Sequence, residues 1–338
     1  MERNYSIDSI KFFAALAVVT IHTQPFISNN VIFIFIRTIC SFAVPTFFIS
    51  SGYFLAKGII SSKDSKKYIK RYMSKILCIL IISILLYTLY NILKFLISSN
   101  FKQNIIQFLN GILIFKNLYY GIDEGGMYHL WYLFSILYII PIIFIFRNKI
   151  NLLLKVAFTF NLVGIAIQLI GLEINVRDAL FYGLFYMTLG YWIFVNETDI
   201  LYKIRKLDEK HLTILFFIFN LVQILESYMI KRFTYSFVTI GVVTVLFLKL
   251  IKNKLILKDS WLNRVGTMSL GIYIIHPMVI DSMYLVINKI SVENIVNTIW
   301  WQLLIAPVVF TISFVMYNII NTIKKLYYND QILNKAKF

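Results

Sequence analysis

The chain has 338 residues, 59% of them apolar and only 14% charged, with a formal charge of +17 and two cysteines. Soluble chains average roughly 45–50% apolar and about 25% charged residues, so this composition excludes an ordinary soluble domain and points to the membrane. The positive charge sits mostly in short loops between apolar runs, which reads as a topology signal and argues against a nucleic-acid partner.

Ten apolar runs approach the ~20 residues a spanning helix needs. They cover about 8–27, 34–56, 76–97, 129–146, 151–171, 178–196, 212–230, 234–251, 267–288 and 299–321. The stretch 105–115 is too short to span and is expected to lie at the interface or re-enter. Residues 1–6 are too short and polar for a signal peptide, so the first run reads as a retained helix. With the N-terminus inside, 24 Lys and Arg residues fall on the cytoplasmic side and six on the other, with Lys11, Arg37 and Lys94 in or at the edges of spans. The expected fold is an all-α integral membrane protein. One domain over 1–338 carries about ten transmembrane helices, both termini are cytoplasmic, and no soluble domain is appended.

Cys40 and Cys78 both lie in apolar runs and read as packing thiols. No CxxC or Cys/His metal spacing occurs, so no metal site is expected.

Ionisable groups inside apolar runs are costly and usually face a cavity or a partner. Lys11 and His22 bracket KFFAALAVVTIH. Eleven positions are close to three helical turns, about 16 Å, so both side chains project from one face. Histidine is the side chain suited to proton transfer near neutrality, although a backbone hydrogen bond would account for it equally well. SFAVPTFFISSGYFL (41–55) carries Pro45, expected to break the ladder within a span, then Ser50, Ser51 and Gly52, small enough for close backbone approach. Arg37 lies two turns earlier and calls for a carboxylate or a phosphate. Lys70, Arg71 and Lys75 belong to a basic run that acts on topology or holds the phosphates of a cytosolic anion.

YHLWYLFSILYIIP (128–141) opens the fourth run with His129, Trp131 and Tyr132; the two aromatics suit an interfacial belt, and His129 is placed to sit level with His22 across a pocket. Glu226, alone in the seventh run, reads as a counter-charge or a protonated hydrogen-bond donor. In SLGIYIIHPMVID (269–281), Ser269, Tyr273 and His276 share one helical face, with Asp281 continuing it and Pro277 expected to kink the helix. Three of the four histidines thus sit in or at apolar runs.

Taken in order, Lys11-x10-His22, VPTFFISSGYF, HLWYL and SLGIYIIHP resemble the integral-membrane acyltransferase-3 family over nearly the whole chain. The resemblance implies transfer of an acyl group, usually acetyl from cytosolic acetyl-CoA, to a hydroxyl of a cell-envelope sugar or glycolipid at the plasma membrane. It implies His22 as the essential histidine, acting as general base or as a relay that carries the acyl group, paired with Lys11, and maps the SG-aromatic segment onto Ser51, Gly52 and Tyr53 and the basic run onto Arg71 and Lys75. One position departs: Ser41 stands where many members carry an arginine, with Arg37 one turn earlier.

In this reading Lys70, Arg71 and Lys75 meet the acyl-CoA phosphates. Arg37, Ser51, Gly52, Tyr53, Ser269, Tyr273 and His276 line or shape the passage, and His129, Trp131 and Tyr132 shape the acceptor side. The chain acts alone or with a separate extracytoplasmic partner. The membrane halves of VanT-type serine racemases share the pattern, so a module carrying a small solute such as serine is the alternative.

Overall fold

The computed structural model describes residues 4–97, 100–113, 117, 121–122, 124–172, 179–230, 236–253 and 260–335, with side chains to residue 324. Among the described residues all regular structure is helical. α1 (Tyr5–Thr23) starts where the Asn4 side chain accepts from the Ile7 N–H at 3.0 Å. It stops at Gln24, whose φ of 48° is left-handed. α2 (Asn30–Cys40) and α3 (Ala43–Ser61) follow, then α4 (Ser65–Leu96), capped by Asp64, and α5 (Phe101–Ile112). A 3-10 turn, Glu124–Leu130, leads into α6 (Trp131–Phe146), and a second, Arg147–Lys149, into α7 (Ile150–Ile170). A π turn, Ala179–Gly183, opens α8 (Leu184–Val195), and α9 (Glu197–Ile204) bends away from that segment by 79°. α10 (Glu209–Ile230), α11 (Phe237–Lys252), the short α12 (Trp261–Gly266), α13 (Ser269–Lys289) and α14 (Ile299–Lys335) complete the chain.

A helix underlies each of the ten predicted apolar runs. Among the described residues seven helical stretches are long and apolar enough to cross a membrane, or eight counting the bent pair of α8 and α9. One of the seven, Glu124–Ile170, contains both α6 and α7. The described α11 has 16 residues, next to the ~17–25 typical of a span, and residues 231–235 and 254–259 on either side lie outside the described ones. Of the charges behind the loop asymmetry, Arg3, Lys116, Arg177, Lys231, Arg232, Lys254, Lys258 and Lys337 lie outside the described residues.

The helix ladder breaks beside one proline and runs on through the other. Pro45 is the third residue of α3, in the first turn, where a missing N–H costs no helix bond. The chain breaks just before it, at Ser41 and Phe42. Pro277 lies within α13, which runs on through it to Lys289.

The lipid-facing surface is clear from exposed aliphatics along α4 (Leu77, Ile81, Leu85, Leu89), α10 (Ile218, Leu221, Leu225) and α14 (Leu303, Leu304). α8 is the opposite case, buried on nearly every side. It crosses α3 with backbones almost touching: a Cβ on Gly52 would lie 1.8 Å from the Met187 carbonyl oxygen, and one on Gly190 2.0 Å from that of Ile49. α12 approaches α1 as closely, since a Cβ on Gly266 would fall 1.8 Å from the Asp8 carbonyl oxygen. α1, α3, α4, α6 and α13 together line one internal space.

Candidate functional site

That space is a cavity of about 290 Å³. Ten of the residues singled out from sequence line it: Lys11, His22, Ser50, Ser51, Lys75, His129, Trp131, Tyr132, Ser269 and Tyr273. Lys11 and His22 both face it, as their eleven-residue separation predicts. Lys11 and Lys75, with Thr267 and Ser269, stand toward one end, and His22, His129 and Trp131 toward the other. Between them the walls are mostly apolar, from Val18, Val44, Phe47, Phe54 and Ile79.

Lys11 Nζ lies 3.2 Å from Asp8 Oδ1, one turn back, and 4.4 Å from the Phe54 ring centroid. Its side chain is only 19% exposed, so it is a cation held inside the protein by a carboxylate and an aromatic face. Across the cavity, Ser51 Oγ and Tyr132 Oη are 3.0 Å apart and tie α3 to α6. Ser50 Oγ, also in the wall, is buried with no hydrogen-bond partner among the described residues.

The His22 end is a histidine cluster. The His22 ring lies 5.2 Å from His276 and 5.0 Å from Tyr128, and His276 lies 5.5 Å from His129. His129 and His276 are 1% and 0% exposed.

Their protonation follows from the backbone. Pro277 has no N–H, so the Tyr273 carbonyl loses its helical donor. His276 Nδ1, 2.8 Å away, takes that place. A carbonyl only accepts, so Nδ1 carries the hydrogen and, in the neutral ring, Nε2 carries the lone pair. His129 Nδ1 donates to the Gly126 carbonyl in the same way, at 3.1 Å. Both Nε2 atoms are buried and without a partner among the described residues. The site therefore holds two fixed acceptors beside His22. Tyr273 adds a brace, its hydroxyl donating to the His129 carbonyl and joining α13 to the 3-10 turn.

The remaining predicted residues stand elsewhere. His276 is packed behind the lining, against His22 and His129. Gly52 faces α8, where it permits the helix crossing. Tyr53 turns the same way and donates to Glu197 Oε2 at 2.7 Å. Arg37 sits over the Phe33 ring at 5.3 Å, away from the cavity. Lys70 and Arg71 are exposed on the first turns of α4, one turn before Lys75. Cys40 and Cys78 are free thiols, and among the described residues no group of three or more His, Cys, Asp or Glu side chains is placed to hold a metal ion.

Sequence reasoning missed Tyr128, Tyr72 and Thr267. Tyr128 was legible only as the neighbour of His129, and Tyr72 as a position one turn before Ile76 on the lining face of α4.

Two curated relatives are similar to this chain, both amino-acid racemases of Enterococcus faecalis. One is 29% identical over 348 residues, covering 92% of this chain and 46% of the relative. The other is 33% identical over 130 residues, 38% of this chain and 16% of the relative. The chain thus spans less than half the length of the curated relatives it matches. No solved structure matches it significantly. A family profile described as an acyltransferase domain matches residues 4–318, nearly the whole helical assembly around the cavity. The chain is a multi-helix membrane protein and belongs to the acyltransferase-3 family.

Proposed function

We propose that this protein is a plasma-membrane acyltransferase that moves an acetyl group from cytosolic acyl-CoA to a hydroxyl of a cell-envelope sugar or glycolipid. In this reading all ten apolar runs cross the bilayer, both termini are cytoplasmic, and residues 1–338 form one domain. The observation that carries it is the cavity joining a basic end, Lys11 and Lys75, to a histidine end at His22.

The cavity suits the arm of an acyl-CoA rather than the whole molecule. Small-molecule pockets run to roughly 300–1,000 Å³, and this one, about 290 Å³, is at the low end. Lys75 at its edge and exposed Lys70 and Arg71 beside it give phosphates a place outside. Ser50, Ser51 and Ser269 along the wall offer hydroxyls to the amides of a pantetheine arm. The donor supplies an activated acyl carbon with a thiolate leaving group.

His22 is the general base. It takes the proton of the acceptor hydroxyl as that oxygen bonds to the acyl carbon and the carbon–sulfur bond breaks, and it returns the proton to the departing sulfur. His129 and His276 hold neutral acceptors beside it. Trp131, at the same end, shapes the acceptor's side, and Lys11 keeps the arm in register. The protein works alone or with a separate extracytoplasmic partner.

A second reading is carriage of a small solute such as serine, favoured by the likeness to amino-acid racemases along 92% of the chain. One assay separates them. Purified protein in liposomes, given acetyl-CoA and envelope glycans, is expected to release CoA thiol, and His22→Ala is expected to abolish release while remaining folded. Serine uptake with no CoA release from the wild type would replace the first reading with the second.

A further inference from the structure

A second cavity, about 260 Å³, is lined in part by Tyr128, whose ring lies 5.0 Å from that of His22. Tyr90, Asn91, Lys94, Tyr128, Asp281 and Tyr284 supply its polar lining. Tyr128 is shared between the two spaces in a specific sense: it lines this one, and its ring meets His22, which lines the other.

The polar groups here are organised. Lys94 Nζ lies 2.8 Å from each oxygen of Asp281. Tyr90 donates to Asp281 Oδ2 at 2.7 Å and meets Ser282 Oγ at 3.0 Å. Asn91 donates to the Gly125 carbonyl at 3.0 Å, which holds the 3-10 turn as the floor. Gly125 and Gly126 have φ of 60° and 79°, and a Cβ on Gly125 would fall 2.6 Å from Asn91 Nδ2. Lys94 and Asp281 keep 31% and 38% of their side-chain surface exposed, so a ligand can reach both.

The chemistry of this lining selects a ligand. One cation is matched by one carboxylate, so a strongly anionic or cationic ligand would meet a charge already neutralised. Tyrosine hydroxyls, an amide and the ion pair together offer donors and acceptors in several directions, which suits hydroxyls that do both. The rings of Tyr90, Tyr128 and Tyr284 offer apolar faces for the C–H surface of a ring. We infer that this second cavity is the acceptor subsite for a neutral polyhydroxylated ring, one sugar residue of a glycan, seated with its reacting hydroxyl toward Tyr128 and His22. This rests on the acyl-transfer reading above and supplies the acceptor's place in it.

The test is equilibrium binding to the purified protein without acyl-CoA. N-acetylglucosamine, its trimer and methyl glucoside are the probes, with L-serine and inorganic phosphate as comparisons. Sugar binding is expected in the wild type and at least tenfold weaker in Tyr284→Phe and in Asp281→Asn. Tyr284→Phe removes one hydroxyl and no packing, so it reads out the site even where Asp281→Asn fails to fold. No sugar binding, preferential binding of serine or phosphate, or sugar binding unchanged in Tyr284→Phe and in any folded Asp281→Asn would each overturn the subsite. A protein that binds sugar through these residues yet transfers no acetyl group sinks the transfer reading instead.

Discussion

The imidazole of His22 lies 5.2 Å from that of His276, with the ring planes 36° apart. His276 owes its orientation to Pro277, which leaves the Tyr273 carbonyl for Nδ1 and so turns a helix defect into a fixed tautomer. A ring that gains charge as it takes a proton is thus set beside a neutral acceptor that cannot readily turn. General acid–base contributions run to about 10²–10⁴-fold. His276→Ala is expected to lower kcat by about 10²-fold with little change in KM for the donor, measured as CoA thiol release. An unchanged kcat would remove His276 from any positioning role.

Pro277→Ala tests the same device from the backbone. Alanine restores an N–H donor to the Tyr273 carbonyl, which then competes with His276 Nδ1. Thermal stability is expected to hold or rise while kcat falls, the opposite pairing from a packing defect. Unfolding curves and turnover on the same preparation decide it.

The donor end predicts a graded series. Lys75 lines the cavity and Lys70 does not, so Lys75→Ala should raise the KM for acetyl-CoA roughly tenfold, an effect weakened by salt, and Lys70→Ala by much less. Equal effects from the two would mean that the phosphates are held by the basic run as a whole.

The α3–α8 crossing predicts intolerance at two glycines. Gly52→Ala and Gly190→Ala each place a methyl group about 2 Å from a backbone oxygen, which no rotamer change relieves. A loss of at least about 1–3 kcal/mol is expected, read as lowered unfolding temperature in detergent. Gly171 is the control: nothing lies within 4 Å of its Cβ position, so only its left-handed φ of 83° opposes alanine, a cost of about 1 kcal/mol.

Tyr53→Phe should destabilise without touching the chemistry. It removes the donor to the buried carboxylate of Glu197, a loss of about 1–3 kcal/mol, and its ring faces away from the cavity. Turnover per folded molecule is expected to stay at the wild-type value.

The sequence by itself determined the helices and the face of the first one. Runs of apolar residues near the bilayer's thickness leave the backbone no alternative to a helix, and a separation of eleven residues repeats the helical angle, so Lys11 and His22 had to share a side. Which groups meet across helices was decided only by tertiary packing. Ser51 and Gly52 are adjacent in sequence, yet one faces Tyr132 in the cavity and the other the backbone of α8. That division depends on α8 coming close enough to require a bare Cα, a distance no local pattern records. The second cavity is the extreme case: Lys94 and Asp281 lie 187 positions apart, and only the docking of α13 on α4 pairs them beside Tyr128. Periodicity fixes an angle about one axis, whereas a site needs the relative placement of several axes, and that is set by the bulk of the side chains between them.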